Sequence, residues 1–438
     1  MIKQKNASVA IIAIIIVSAV AVIGVGIFLY PYSPENPPVA DDFNATPEGI
    51  QKVVGANNNF AFDLYSELNK NEGGNIFYSP YSISAALAMT YEGAKGQTAN
   101  EIKSVFYFPE NNILRPNFAS IYNGINAENN DYELKTGNAL WLQQDYPFIK
   151  EYVTTVENYY GGKAAGVDFV NEVEMTRQTI NSFIEEQTNN KINDLIPQGM
   201  LNPLTRMVLT NAIYFKGTWE WEFDKSDTKD RDFKIAEDNV VSVPMMYLDN
   251  DKAKFNYANL DNLQILELPY KGNDLSMLVL LPKQGKDYNY ETEEIINYNY
   301  NLEDIEFSSE KLEEYKSQMQ EVEMERIYLP KFEFDTKYML KEILGDLGMP
   351  IAFAQDGSAD FSGMTEAEQL FISNIIHQAY VKVDEKGTEA AAATAVIMAA
   401  TGMPDESKIF RADHPFIFII QERETGNILF LGRVIDPR

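Results

Sequence analysis

Several strand-length runs in the second half of the chain are apolar on both faces, and this constrains the fold more than any other feature. Residues 206–216, 263–269, 275–281, 371–383, 414–421 and 428–434 are each continuously apolar or alternating, with Thr425-Gly426-Asn427 as a turn between the last two. A strand that is apolar on both faces must be covered on both, so these runs predict central strands of a large sheet beneath helices. The first half supplies the helices. Residues 48–70 are amphipathic, 79–91 are apolar and Ala-containing, and Thr98-Ala99-Asn100-Glu101 reads as a capping box opening a short helix. The expected class is α+β. Residues 286–320, rich in Asn, Tyr and Glu, read as a surface excursion with one charged helix.

One spacer is visible along the 438 residues. Residues 31–47 carry prolines, Asn and acidic side chains and read as an extended linker. No internal repeat or second linker follows, so 48–438 is expected to be one domain. Ahead of the linker, Lys3 and Lys5 precede an uncharged stretch from Ala7 to Tyr30, almost wholly Ile, Val and Ala. At 1.5 Å per residue a helix of that length spans roughly 36 Å, enough to cross a bilayer. Residues 1–30 are therefore expected to be a membrane anchor or signal segment. Length favours the uncleaved anchor; Ala19-Val20-Ala21 leaves a cleaved signal open, and a buried globular helix is the plain alternative. The lysines before it and Glu35, Asp41 and Asp42 after it orient the body outward, at the cell surface, or secreted if the segment is removed.

Composition closes off several functions. A net charge of −29 repels phosphate backbones, so nucleic acid is not an expected partner. The absence of Cys excludes disulfides, thiolate catalysis and Cys-ligated metals, and two histidines, His377 and His414, leave little for a His-based metal site. There is no Gly-x-Ser-x-Gly elbow and no phosphate loop. Asp224, Asp227 and Asp230 have the wrong spacing for a calcium loop and read as solvated surface. No enzyme and no cofactor are expected.

The informative segment is Asp384-Glu385-Lys386-Gly387-Thr388-Glu389, followed by Ala390, Ala391, Ala392, Ala393 and Thr394 and running on to Thr401-Gly402. A strand ends at Val383, meets a glycine, and passes into small residues that suit helix, extended loop or strand. Read locally, a buried Ala-rich helix is the plainer alternative.

Other stretches add context: residues 75–83 (Asn-Ile-Phe-Tyr-Ser-Pro-Tyr-Ser-Ile), 210–219 (Thr-Asn-Ala-Ile-Tyr-Phe-Lys-Gly-Thr-Trp), Val243-Pro244-Met245-Met246, 359–364 (Ala-Asp-Phe-Ser-Gly-Met), His414-Pro415-Phe416 and Phe430-Leu431-Gly432-Arg433. Together with the hinge and alanine run, these resemble the serpin family. They run in the family's order over nearly all of 48–438. The resemblance implies a fold of three sheets and about nine helices. It also implies an exposed loop that a target serine protease cleaves, and that then inserts as a strand in the largest sheet, trapping the protease covalently. It implies a gate beneath the central strands formed by Ser79, Ser82, Asn211 and His377, with Trp219 where the loop first enters. On sequence alone, His377 also reads as a satisfied core histidine.

The residues fit that use. Alternate side chains of an inserted strand face inward, here Thr388, Ala390, Ala392, Thr394, Val396 and Met398, all uncharged. A charge at Thr388 or Ala390 would be buried at a penalty of several kcal/mol. New backbone hydrogen bonds at about 0.5–1.5 kcal/mol each could supply on the order of 10 kcal/mol over a full strand, so the loop must be held out kinetically. Counting from Glu385 as the family does puts the cleaved bond at Thr401-Gly402. No Lys or Arg lies between Gly387 and Ser407, so elastase-, chymotrypsin- or subtilisin-like proteases are expected targets. Residues 121–134, matching the basic helix through which some serpins bind heparin, have no Lys or Arg, so no heparin binding is expected. A monomer is expected. The rival reading is a non-inhibitory serpin acting as carrier, chaperone or structural protein.

Overall fold

The computed structural model describes residues 39–127, 131–136, 139–236, 238–249, 253–283, 285–289, 294–299, 302, 305–367, 370–388 and 408–438. The anchor or signal segment at 1–30 lies outside them. Among the described residues no helix is long and apolar enough to cross a membrane.

Eight α-helices are described: α1 (Pro47–Asn71), α2 (Pro80–Tyr91), α3 (Gly96–Val105), α4 (Asn111–Ile125), α5 (Lys150–Tyr160), α6 (Val173–Gln187), α7 (Ser309–Ser317) and α8 (Leu340–Asp346). A 3-10 turn at Pro350–Phe353 follows. Helix α1 starts where Thr46 Oγ1 accepts the Gly49 N–H and Pro47 fills the first turn. Helix α2 is buried around its circumference because it runs between two sheets. Its start is fixed by Ser79, whose hydroxyl accepts the Ser82 N–H. The expected start of α3 needs correction. The helix begins at Gly96 (φ 52°), ahead of the proposed capping box. Thr98 and Glu101 instead serve tertiary contacts: Thr98 Oγ1 accepts from Asp360 N and Glu101 Oε2 from Ile351 N.

Among the described residues the strands form four sheets. The first runs β1 (Ile76–Tyr78), β20 (Ile428–Val434), β19 (Phe416–Glu422), β10 (Leu275–Pro282), β9 (Leu263–Pro269), β8 (Lys254–Asn259), β13 (Gln320–Glu323). The second, central to function, runs β15 (Phe332–Met339), β16 (Ile375–Asp384), β17 (Gly387–Thr388), β5 (Met207–Thr218), β3 (Ala139–Gln143), β4 (Lys163–Val167), with β2 (Tyr132–Thr136) also along β5. The third is β18 (Ile409–Arg411), β14 (Arg326–Pro330), β7 (Asn239–Leu248), β6 (Lys229–Ala236). The fourth is a separate hairpin, β11 (Gly285–Asn289) with β12 (Glu294–Asn299). The expected three sheets are thus joined by a small one, in the stretch read as a surface excursion with one charged helix; that helix is α7. Residues 121–134 hold the end of α4 and the start of β2 rather than a helix throughout. The one basic residue of α4, Arg115, is paired with Glu92.

Candidate functional site: a seam open at one end

Strand β5 is flanked on one edge by β2 and β3. On its other edge it has two different neighbours. Residues Leu209 to Ile213 pair in parallel with Ile375 to Ala379 of β16, closing the sheet. Further along, Gly217 and Thr218 pair instead with Thr388 and Gly387, and these pair on their other side with Val383 and Asp384 of β16. The chain leaving β16 therefore turns back and wedges two residues between its own strand and β5.

Sequence chemistry makes that wedge possible. Gly387 has φ 153°, and a Cβ there would lie 1.9 Å from the Gly217 carbonyl oxygen, so only glycine fits. Thr388 is 2% exposed, with Oγ1 2.8 Å from the Tyr270 hydroxyl. Tyr270 stacks on Trp219 at 4.6 Å between ring centroids and meets the Phe215 ring edge-on. The indole Nε1–H of Trp219 donates to the Asp384 carbonyl (3.1 Å), and its backbone N–H to that of Lys386 (2.7 Å). Phe223 N–H donates to Glu385 O (2.7 Å). The Glu385 carboxylate accepts from Lys331 Nζ at 2.9 and 3.1 Å and from Thr228 Oγ1 at 2.8 Å. Burial pushes its pKa up, but these hydrogen bonds and the lysine charge outweigh it and hold the carboxyl below its ordinary value.

At the closed end, Ser79, Ser82, Asn211 and His377 form one fully buried cluster. The Ser79 backbone N–H, which can only donate, points at His377 Nε2 (3.1 Å), so that nitrogen is the acceptor. The ring proton must then sit on Nδ1, facing Asn211 Oδ1. Asn211 Nδ2 donates to the Ser82 carbonyl (2.6 Å) and hydroxyl (2.7 Å), and Ser79 Oγ donates to Leu429 O (2.6 Å). The network ties α2 to both strands at the seam and to the first sheet. It requires a neutral imidazole, and burial lowers the His377 pKa to about 3.

The structure thus brings Ser79, Ser82, Asn211 and His377 together. It sets Trp219 against Asp384, Lys386 and the start of the hinge, and places Glu385, Lys386, Gly387 and Thr388. Glu389, Ala390, Ala391, Ala392, Ala393, Thr394, Thr401 and Gly402 lie outside the described residues. Sequence reading missed Tyr270, Lys331 and Thr228. Each reaches the hinge from more than fifty residues away, and nothing local marks them. In the acidic trio, Asp224 accepts from the Ser226 backbone N–H and hydroxyl, and among the described residues no metal-binding cluster forms.

Fold and seam together define a protein whose main sheet holds two residues of the returning chain, Gly387 and Thr388, between β16 and β5. The chain belongs to the serpin family: the family profile described as serpin (serine protease inhibitor) matches residues 55–437. An uncharacterized serpin-like protein of Methanosarcina mazei is 44% identical, covering 88% of this chain and 87% of its own length. The leukocyte elastase inhibitor of Equus caballus is 40% identical, covering 89% and 100%. Among solved structures, uncleaved ovalbumin shares 33% identity at a TM-score of 0.74, covering 88% of this chain and all of its own. Human thyroxine-binding globulin shares 32% at 0.75, covering 89% and 99%.

Proposed function

We propose that this chain inhibits serine proteases as a suicide substrate: cleavage near Thr401-Gly402 releases the loop, which inserts along the seam and carries the acylated protease with it. The observation that carries the reading is the wedge of Gly387 and Thr388 between β16 and β5, strands that pair directly with each other further down. The pairings on its two sides agree in register. Continued down the seam, they bring Ala390 between Phe215 and Val381 and Thr394 between Asn211 and His377. The inward side chains at these positions are small and uncharged, so each step buries no charge. The protease's own serine supplies the chemistry. The bait region lacks basic residues, which favours elastase-, chymotrypsin- or subtilisin-like targets, and one relative at 40% identity is named as an elastase inhibitor.

The test is to mix the chain with a panel of such proteases and seek a covalent complex that survives denaturing electrophoresis. A band at the summed mass supports inhibition. Clean cleavage without complex across the panel overturns it in favour of a carrier or structural role. We place the inhibitor outside the cell on a tether formed by residues 1–30, with 31–47 as spacer and 48–438 as a monomeric inhibitory domain. Full-length protein that stays in the supernatant when membranes are sedimented overturns the tether alone.

A further inference from the structure

Within the proposed inhibitory mechanism, we infer that Tyr270 is a positioning residue that fixes the register in which the loop enters the seam. Its side chain is fully buried, packed between Trp219 and Phe215, so its hydroxyl has no access to water. The partner the structure gives that hydroxyl is Thr388 Oγ1 at 2.8 Å. In the stretch Asp384-Glu385-Lys386-Gly387-Thr388-Glu389, threonine is the one residue with a hydroxyl. A slip by one residue would present Gly387 or Glu389 to Tyr270, leaving a buried hydroxyl unpaired or forcing a carboxylate against it. It would also turn every following side chain to the opposite face, because strand side chains alternate with period two. The glycine contact works in the same direction. The tight approach of Gly387 to Gly217 O tolerates no Cβ, so neither Lys386 nor Thr388 can take that place. Two independent contacts, one steric and one hydrogen-bonded, thus select a single register.

The test uses the full chain with Tyr270→Phe, Thr388→Val and Thr388→Ser, read by hydrogen–deuterium exchange and by Trp219 emission. Neither readout needs a protease, so the outcome is independent of whether a covalent complex forms. We expect the amides of Gly387 and Thr388 to exchange about tenfold faster in Tyr270→Phe and in Thr388→Val. The double variant is expected to be no faster than either single one, with Trp219 emission moving to longer wavelength in all three. Thr388→Ser, which keeps the hydroxyl, is expected to behave as the parent. Unchanged exchange in Tyr270→Phe, or full additivity in the double variant, overturns the assignment. So does Thr388→Ser behaving like Thr388→Val. If the inference holds, Tyr270→Phe also raises the fraction of chain cleaved without trapping wherever the parent forms a complex.

Discussion

The two ends of the seam between β5 and β16 are held by opposite means. At the open end the contacts are made by the chain that leaves β16 and turns back: a glycine that fits where no other residue does, a threonine hydroxyl on Tyr270, and the half-buried pair of Glu385 and Lys331. At the closed end β5 and β16 pair directly, and they are held to α2 by a buried cluster of Ser79, Ser82, Asn211 and His377 with a neutral imidazole at its centre. Contacts at the first end hold two returning residues between the strands, whereas those at the second hold the strands directly to each other and to α2. Under the proposed mechanism the first would favour strand entry and the second resist early opening.

Substitutions can separate the two. The largest effect is expected from Thr388→Arg. Burying a guanidinium beside Tyr270 costs several kcal/mol, so the wedge should be expelled and a trapped complex replaced by cleaved, released chain on denaturing gels. Trapping at the parent level would mean that the open end does not govern entry. At the closed end, His377→Ala strands the Ser79 N–H and Asn211 Oδ1 and leaves a cavity. It should lower stability in denaturant titration by about 3 kcal/mol, while exchange at Gly387 and Thr388 stays near parent values. Coupled loss at both ends would show that the seam acts as one unit.

The pH response should come mainly from the closed end. Because the folded His377 pKa is about 3 and the unfolded value ordinary at 6.5, the unfolded chain takes up the proton first. Stability is therefore full above about pH 6.5 and falls as pH drops toward 3, by at most about 1.4 kcal/mol per unit. His377→Gln, which does not titrate, should flatten that slope between pH 6.5 and 5. An unchanged slope would place the response elsewhere. Glu385 has a depressed folded pKa, so its contribution is present above its unfolded value of 4.5 and lost as pH falls below that. The smallest effect is expected from Lys331→Ala. The lysine is 31% exposed, which screens the pair, so a loss of about 1 kcal/mol in the same titration is expected. A loss as large as that of His377→Ala would reverse the ranking of the two ends.

Much of the fold was legible because it rests on local pattern. Residues 263–269 and 428–434 are strands with the bounds their apolar runs suggest, and the apolar, Ala-containing stretch 79–91 holds the helix Pro80–Tyr91. The start of α3 was misread because Thr98 and Glu101 carry the side chains of a capping box while serving contacts with residues far along the chain. The hairpin β11–β12 was missed because its polar sequence lacks a buried face pattern. In the site, residues inside motif stretches could be named from sequence. Tyr270 and Lys331 could not, since a stacked tyrosine and a paired lysine look locally like any other.

The two seated residues bear on timing as well as stability. Starting a strand pair is the slow, entropically unfavourable step, because backbone must be ordered before neighbouring hydrogen bonds reward it. Here folding has already ordered Gly387 and Thr388 between both neighbours. Any extension into the seam then grows from an existing nucleus, and its speed is a matter of propagation past the buried imidazole.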